Sequence, residues 1–257
     1  MFGNFRKMKS NSVPGILALS LFLSSPFLLE GYRIHTKEIQ ALSSSVYVIP
    51  AKSDIGSGSA FVEELYDSIR LDRVGLSKEV LNMAMRGFDK LMHRGLLNKD
   101  SILSIVDFSK SSKEKRLYII DLKNIELLFN TRVAHGRNSG MDYARWFSNN
   151  PSSNKSSLGF YVTENTYFGD NGFSLRLKGM ERGVNDKAFR RRIVMHGADY
   201  VEEDFINERG HLGRSFGCPA IPMNEHKEII EAIKDGTCLF IYYPDKKYLK
   251  VSKILNG

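Results

Sequence analysis

The sequence predicts an α+β protein: a short N-terminal helical section leading into a mainly β, sandwich-like body. Three observations predict it. Apolar residues between positions 60 and 100 recur at helical spacing, whereas from residue 101 they fall in short β-rich runs divided by polar turns. A single amphipathic helix interrupts those runs near the C-terminus. With 42% apolar and 26% charged residues over 257 positions, the chain can build an ordinary globular core and needs no disulfide framework.

Residues 1–30 read as an export signal. Arg6, Lys7 and Lys9 form a positive start, the run from Ile16 to Leu23 is almost wholly apolar, and Ser24, Ser25 and Pro26 follow. The run is short for a bilayer span, so a cleavable signal is favoured over an uncleaved anchor that would keep the chain in contact with a membrane. No cysteine near its end supports a lipid anchor. Export places the body in the periplasm or cell envelope. Residues 31–59 are polar and Ser-rich and read as a linker. Residues 60–100 form the helical section. Phe61, Leu65 and Ile69 make one apolar stripe over 60–71. Ser77 then fits an N-cap with Glu79 in the first turn; Val80, Leu81, Ala84, Phe88 and Leu91 continue at helical period, and Gly95 fits the stop. Residues 101–257 are the body, with strands expected at 102–108, 116–122, 126–134, 159–163, 173–178, 193–196 and 237–243. A helix over 224–234 carries Ile229, Ile230 and Ile233 on one side.

The formal charge is +8, of which Arg6, Lys7 and Lys9 supply three. A surplus of this kind draws an exported protein toward anionic surfaces, but it reads first as solubilising charge. Arg190, Arg191 and Arg192 read as a solvated face beside a strand. No nucleic-acid motif accompanies them, so no nucleic-acid partner is expected. The sequence sets no oligomeric state.

Chemistry concentrates in R-S-F-G-C-P-A-I-P, residues 214–222. Cys218 lies between a glycine and a proline, hence in a tight turn. Gly217 can take backbone angles closed to other residues. Such a turn can aim N–H groups at one point, as an oxyanion hole requires, and N–H dipoles favour a thiolate. The second element is I-V-M-H-G-A-D, residues 193–199, which places His196 at a strand end. A cysteine with a histidine in hydrogen-bond reach is the minimal thiol nucleophile pair. Spacing alone leaves other readings open: an inert thiol, or a disulfide between Cys218 and Cys238. Cys238 sits in an apolar strand and reads as core packing. His135 also precedes a glycine and follows a strand, and reads either as a site-lining residue or as a structural histidine. Gly197 is counted with it as a site-lining candidate. His211 reads as exposed; His35, His93 and His226 have no companions and read as surface residues.

H-G-A-D followed by R-S-F-G-C-P-A resembles the signature of murein L,D-transpeptidases, the YkuD-like catalytic domain, and within it the branch with G-C-P-A. V-A-H-G-R-N-S-G (133–140), S-S-L-G-F-Y-V-T (156–163), S-L-R-L-K-G (174–179) and the tail through L-F-I-Y-Y-P are similar to it as well, so the resemblance covers roughly residues 116–245. It implies an enzyme acting on tetrapeptide stems of peptidoglycan. The cysteine forms a thioester at the third stem position, expels the terminal D-alanine and passes the acyl group to an amine of a neighbouring stem. Water as acceptor would make the same site an L,D-carboxypeptidase. By resemblance Cys218 is the nucleophile, His196 the general base, Gly217 and Cys218 the backbone oxyanion donors, and Ser215 a local hydrogen-bond partner. The chain departs from the family in having Phe216 where many relatives have histidine, and Ala220 where the larger branch has arginine. Arg214, Arg137 and Arg176 are therefore the candidates to hold an acidic stem, since guanidinium forks fit carboxylates. This chemistry requires neither metal nor organic cofactor. Two other classes remain: a zinc hydrolase using His196, Asp199 and His211, and a wall-binding module without turnover.

Overall fold

Helix α1 (Ser59–Ser68) buries Val62 and Leu65 and stops short of the end of the apolar stripe. Leu71 and Leu76 stay in the core but reach it from a turn, in which Arg70 takes a left-handed φ of 51°. Helix α2 (Lys78–His93) starts where Ser77 predicts, the Val80 N–H donating to the Ser77 hydroxyl at 3.2 Å. Gly95 follows its end with φ 65°, the left-handed conformation in which glycine carries no Cβ penalty. The structure is a computed structural model and describes residues 58–257. The expected export signal, and the expected linker up to residue 57, lie outside the described residues.

Eight strands form a single sheet: β1 (Ile102–Asp107), β2 (Leu117–Asp121), β3 (Glu126–Thr131), β4 (Gly159–Gly169), β5 (Gly172–Gly179), β6 (Val194–Gly197), β7 (Ala220–Ile221) and β8 (Cys238–Tyr242). Their order is β3-β2-β1-β8-β4-β5-β6-β7, with the pairs β1–β8 and β6–β7 parallel and the rest antiparallel. The sheet curls until its two edges meet. Ala134, just past β3, bridges Ala220 of β7, its N–H donating to the Ala220 carbonyl at 2.7 Å; Gly136 bridges Ser215. The mainly β body behind a helical section is thus one nearly closed sheet, and residues 214–222 lie along its seam.

The core runs through the sheet and under α2, whose Val80, Leu81, Ala84, Met85, Phe88 and Leu91 are all buried. Phe160 and Phe240 stack at 4.2 Å between ring centroids. Cys238 is fully buried and both cysteines are free, which removes the disulfide reading. The helix expected over 224–234 is α4 (His226–Ile233). Helices α3 (Glu203–Arg209), α5 (Lys246–Val251) and α6 (Lys253–Asn256) were not anticipated. Helix α3 buries no residue, so it leaves no apolar period to find. Strand β4 runs to Gly169 instead of residue 163, because its outer arm, residues 164–169, pairs with β5 as a half-exposed hairpin with no buried face.

Candidate active site

Cys218 sits in the turn that leads into β7, and Gly217 makes that turn possible. Gly217 has φ 128°, and a Cβ there would lie 2.8 Å from the Lys155 carbonyl oxygen and 3.1 Å from Ile193 Cδ1. The Ser215 hydroxyl braces the turn from within: it donates to the Cys218 carbonyl at 2.6 Å and accepts from the Gly217 N–H at 3.0 Å. Of the two amides expected as oxyanion donors, Gly217 is therefore engaged, and Cys218 N–H is the one left without an acceptor among the described residues. The Ser156 hydroxyl donates to the Gly217 carbonyl at 3.2 Å and fixes the turn from outside.

His196 ends β6. The parallel register pairs it with Ala220, two residues after Cys218. His196 Nδ1 lies 2.9 Å from the Gly197 carbonyl oxygen. A carbonyl only accepts, so Nδ1 carries the proton and Nε2 keeps its lone pair. Burial holds the His196 imidazole below its ordinary range; the Gly197 carbonyl partly opposes this, and His226 adds to the lowering.

Burial likewise pushes the Cys218 thiol up, against the Val194 backbone and the Arg191 charge, which favour the thiolate. The S–H donates to the Arg192 carbonyl at 3.7 Å. Arg192 is held at φ 55°, an unusual conformation for a non-glycine residue beside a reactive atom. Burial thus favours the neutral form of both the Cys218 thiol and the His196 imidazole, and His196 Nε2 keeps its lone pair.

The seam gathers most of the residues singled out in the sequence, with corrections. Arg137 and Arg214 stand on one flank of the turn: Arg137 stacks over the exposed Phe216 ring at 4.6 Å, and Arg214 reaches the Gly140 carbonyl at 3.3 Å. Arg176 stands on β5 opposite Val194, two residues from His196. It stacks on Tyr167 and lines a groove of about 600 Å³ with Phe189, Arg190 and Arg192. Of the two site-lining candidates, His135 is 0% exposed. Its Nδ1 accepts from the buried Arg116 guanidinium at 2.8 Å and its Nε2–H donates to the Gly140 carbonyl at 3.3 Å. Burial and the Arg116 charge hold it down to about 3. His135 therefore supports the seam from beneath. Gly197 is also buried; it supplies a carbonyl, and its missing Cβ admits His226, whose Cγ would lie 2.7 Å from one.

Three neighbours of the pair escaped the sequence reading. His226 is buried at 6% exposure, not a surface residue; its spacing from Ile229, Ile230 and Ile233 puts it on the buried stripe of α4, a signal the sequence did contain. Arg191 is no solvated charge: it turns inward and donates to the Ser148 carbonyl at 2.7 Å and to the Ser157 hydroxyl. Tyr200 lies close enough that a Cys218 thiolate, after burial itself, raises its phenol. Among the described residues no group of three or more His, Cys, Asp or Glu side chains converges as a metal site, so His196, Asp199 and His211 do not assemble into a zinc triad.

A family model described as the L,D-transpeptidase catalytic domain matches residues 72–242. No curated protein matches the chain. Among solved structures the chain is similar to an L,D-transpeptidase from Mycobacterium smegmatis (10% identity over 56% of this chain and 59% of that one, TM-score 0.34). It is similar also to the helical cell shape determining protein Pgp2 from Campylobacter jejuni (15%, 64% and 56%, 0.38) and to an L,D-transpeptidase from Stackebrandtia nassauensis (13%, 65% and 68%, 0.33). The chain spans under two thirds of the length of the first two.

Proposed function

The chain belongs to the L,D-transpeptidase catalytic-domain family, and we propose that it is a peptidoglycan L,D-transpeptidase working through a thioester on Cys218. What supports this reading is that the turn of Cys218 leads directly into the strand paired with that of His196, whose imidazole proton is fixed on Nδ1 by Gly197. His196 Nε2 takes the thiol proton as the sulfur attacks the carbonyl of the third stem residue. Cys218 N–H steadies the oxygen that gains charge, and Arg191 favours the thiolate. The amide bond breaks, and the imidazolium returns its proton to the departing D-alanine amine. His196 then deprotonates the acceptor amine of a second stem, which resolves the thioester. Water in the acceptor's place gives carboxypeptidase turnover from the same intermediate. Arg137 and Arg214, on the flank of the turn, are suited to the stem's carboxylates.

No helix among the described residues is long and apolar enough to cross a membrane. Export to the cell envelope rests on the pattern of residues 1–30, a charged start followed by a short apolar run.

Intact-mass spectrometry after incubation with a tetrapeptide stem tests the mechanism. Wild type should gain the tripeptide acyl mass and lose D-alanine, and Cys218→Ala should gain nothing. An adduct that persists in Cys218→Ala, or turnover with no adduct at Cys218, would overturn it. Adding an amine acceptor then separates transfer from hydrolysis.

A further inference from the structure

Nine large apolar side chains stand exposed among the described residues, and four of them, Met141, Tyr143, Trp146 and Phe216, belong to two adjoining segments beside the nucleophile turn. Their exposures run from 44% for Tyr143 to 67% for Phe216. The segments are joined through backbone and side chain: Arg137 N–H donates to the Ser215 carbonyl at 2.8 Å, and Arg214 Nη1 reaches both the Gly140 carbonyl and Met141 Sδ, the latter at 2.8 Å. Arginines are interleaved with the rings, Arg137 over Phe216 and Arg145 over Tyr143.

The loop that displays these side chains is not slack. Asp142 accepts from the Ser111 hydroxyl at 2.7 Å and from the Ser112 N–H and hydroxyl at 3.0 and 2.8 Å. Gly140 is held by His135, and the Ser139 carbonyl takes the N–H groups of Arg145 at 2.8 Å and Trp146 at 3.1 Å. Ala144 and the neighbouring Phe147 turn inward, Phe147 stacking on Phe108. A loop pinned at this many points holds its apolar side chains in water at a cost, which a free surface has no reason to maintain. A surface fixed in advance lowers the ordering cost of binding.

We propose that this face is the docking surface for the glycan strand of peptidoglycan, so that the enzyme holds the polymer as well as the stem peptide; this rests on the function proposed above. Two features select that occupant. Aromatic rings present flat apolar faces that fit the C–H faces of sugar rings, and the arginines between them complement a polymer whose stems carry carboxylates. The face is also continuous with the reactive turn, Phe216 lying two residues before Cys218. A face joined to the reactive turn in this way suits the substrate's own strand, which must reach that turn to react.

The test separates polymer binding from chemistry. Tyr143→Ala/Trp146→Ala and, as a milder variant, Met141→Ala are compared with wild type in four assays. These are co-sedimentation with isolated sacculi, co-sedimentation with phosphatidylglycerol vesicles, sedimentation velocity, and Cys218 acylation by a soluble tetrapeptide. Sacculus binding should fall about tenfold in the double variant, on the scale of losing an aromatic anchor. Met141→Ala should weaken it less, and soluble acylation should stay within about twofold for both. Unchanged sacculus binding overturns the proposal. So does a loss confined to vesicles, a change in self-association only, or an equal loss of soluble acylation in the milder variant. Absence of any wild-type acylation would count against the proposed chemistry, while sacculus binding is still read separately.

Discussion

A buried imidazole that keeps its lone pair has a consequence for pH. The proposed mechanism needs His196 unprotonated, and burial holds its pKa below the ordinary value of 6.5. The base is therefore competent at neutral and mildly acidic pH, and acylation should decline only as the pH falls through that depressed value. Following the adduct rate from about pH 4 to 8 places this limb; a midpoint at or above 6.5 would contradict the reading. At this scale the sequence was informative about which residue types carry the chemistry and poor about backbone roles. The turn at Cys218, the place of His196 near a strand end and Ser215 as a local hydrogen-bond partner were legible from the turn and strand-end pattern together with the family resemblance. The Gly197 carbonyl that fixes the tautomer, and the Gly217 N–H taken up by Ser215, were not, because every residue has the same amide and only the fold decides which are free. His226 left its expected place at the surface for a related reason: burial belongs to the fold, and only helical spacing hinted at it.

Elements were legible where one face is buried and obscure where none is. Helix α2 shows both its cap and its stripe, and the inner strands show as apolar runs, whereas α3 and the outer arm of β4 carry no such period. Packing of α2 on the sheet depends on Gly87, a residue the helical pattern does not single out. A Cβ at Gly87 would lie 2.0 Å from the Phe160 ring, and that ring is stacked on Phe240 and cannot simply swing away. Two effects of Gly87→Ala compete: helix propensity gains up to about 1 kcal/mol, and overpacking costs about 1–3 kcal/mol. The clash should win, with a net loss of about 1–2 kcal/mol and a Tm lower by roughly 3–6 °C for a body of this size. Thermal unfolding checks it, and a variant more stable than wild type would show that α2 can shift outward freely.

Closure of the sheet is what makes a site of the seam, and it was the feature least available from sequence. Strand β8, last in the chain, inserts between β1 and β4, and the join of Ala134 to Ala220 is a bridge between segments that no local period connects. The turn holding Cys218 is supported by both ends of the sheet, so the site depends on the whole curl. That curl in turn depends on the helical section. Helix α2 buries Val80, Leu81, Ala84, Met85, Phe88 and Leu91 in the same core as Phe160 and Phe240. At about 1.5–3 kcal/mol for each large apolar side chain, the five larger ones contribute on the order of 10 kcal/mol, comparable with the whole stability of about 5–15 kcal/mol of a typical domain. A chain lacking residues 59–98 should therefore lose its cooperative thermal transition and its Cys218 acylation together, even though every residue of the reactive pair is retained. Far-UV circular dichroism on heating, alongside the mass adduct, reads both. A cooperative transition with intact acylation would show that the sheet closes without α2, and that the helices only cover a body already folded.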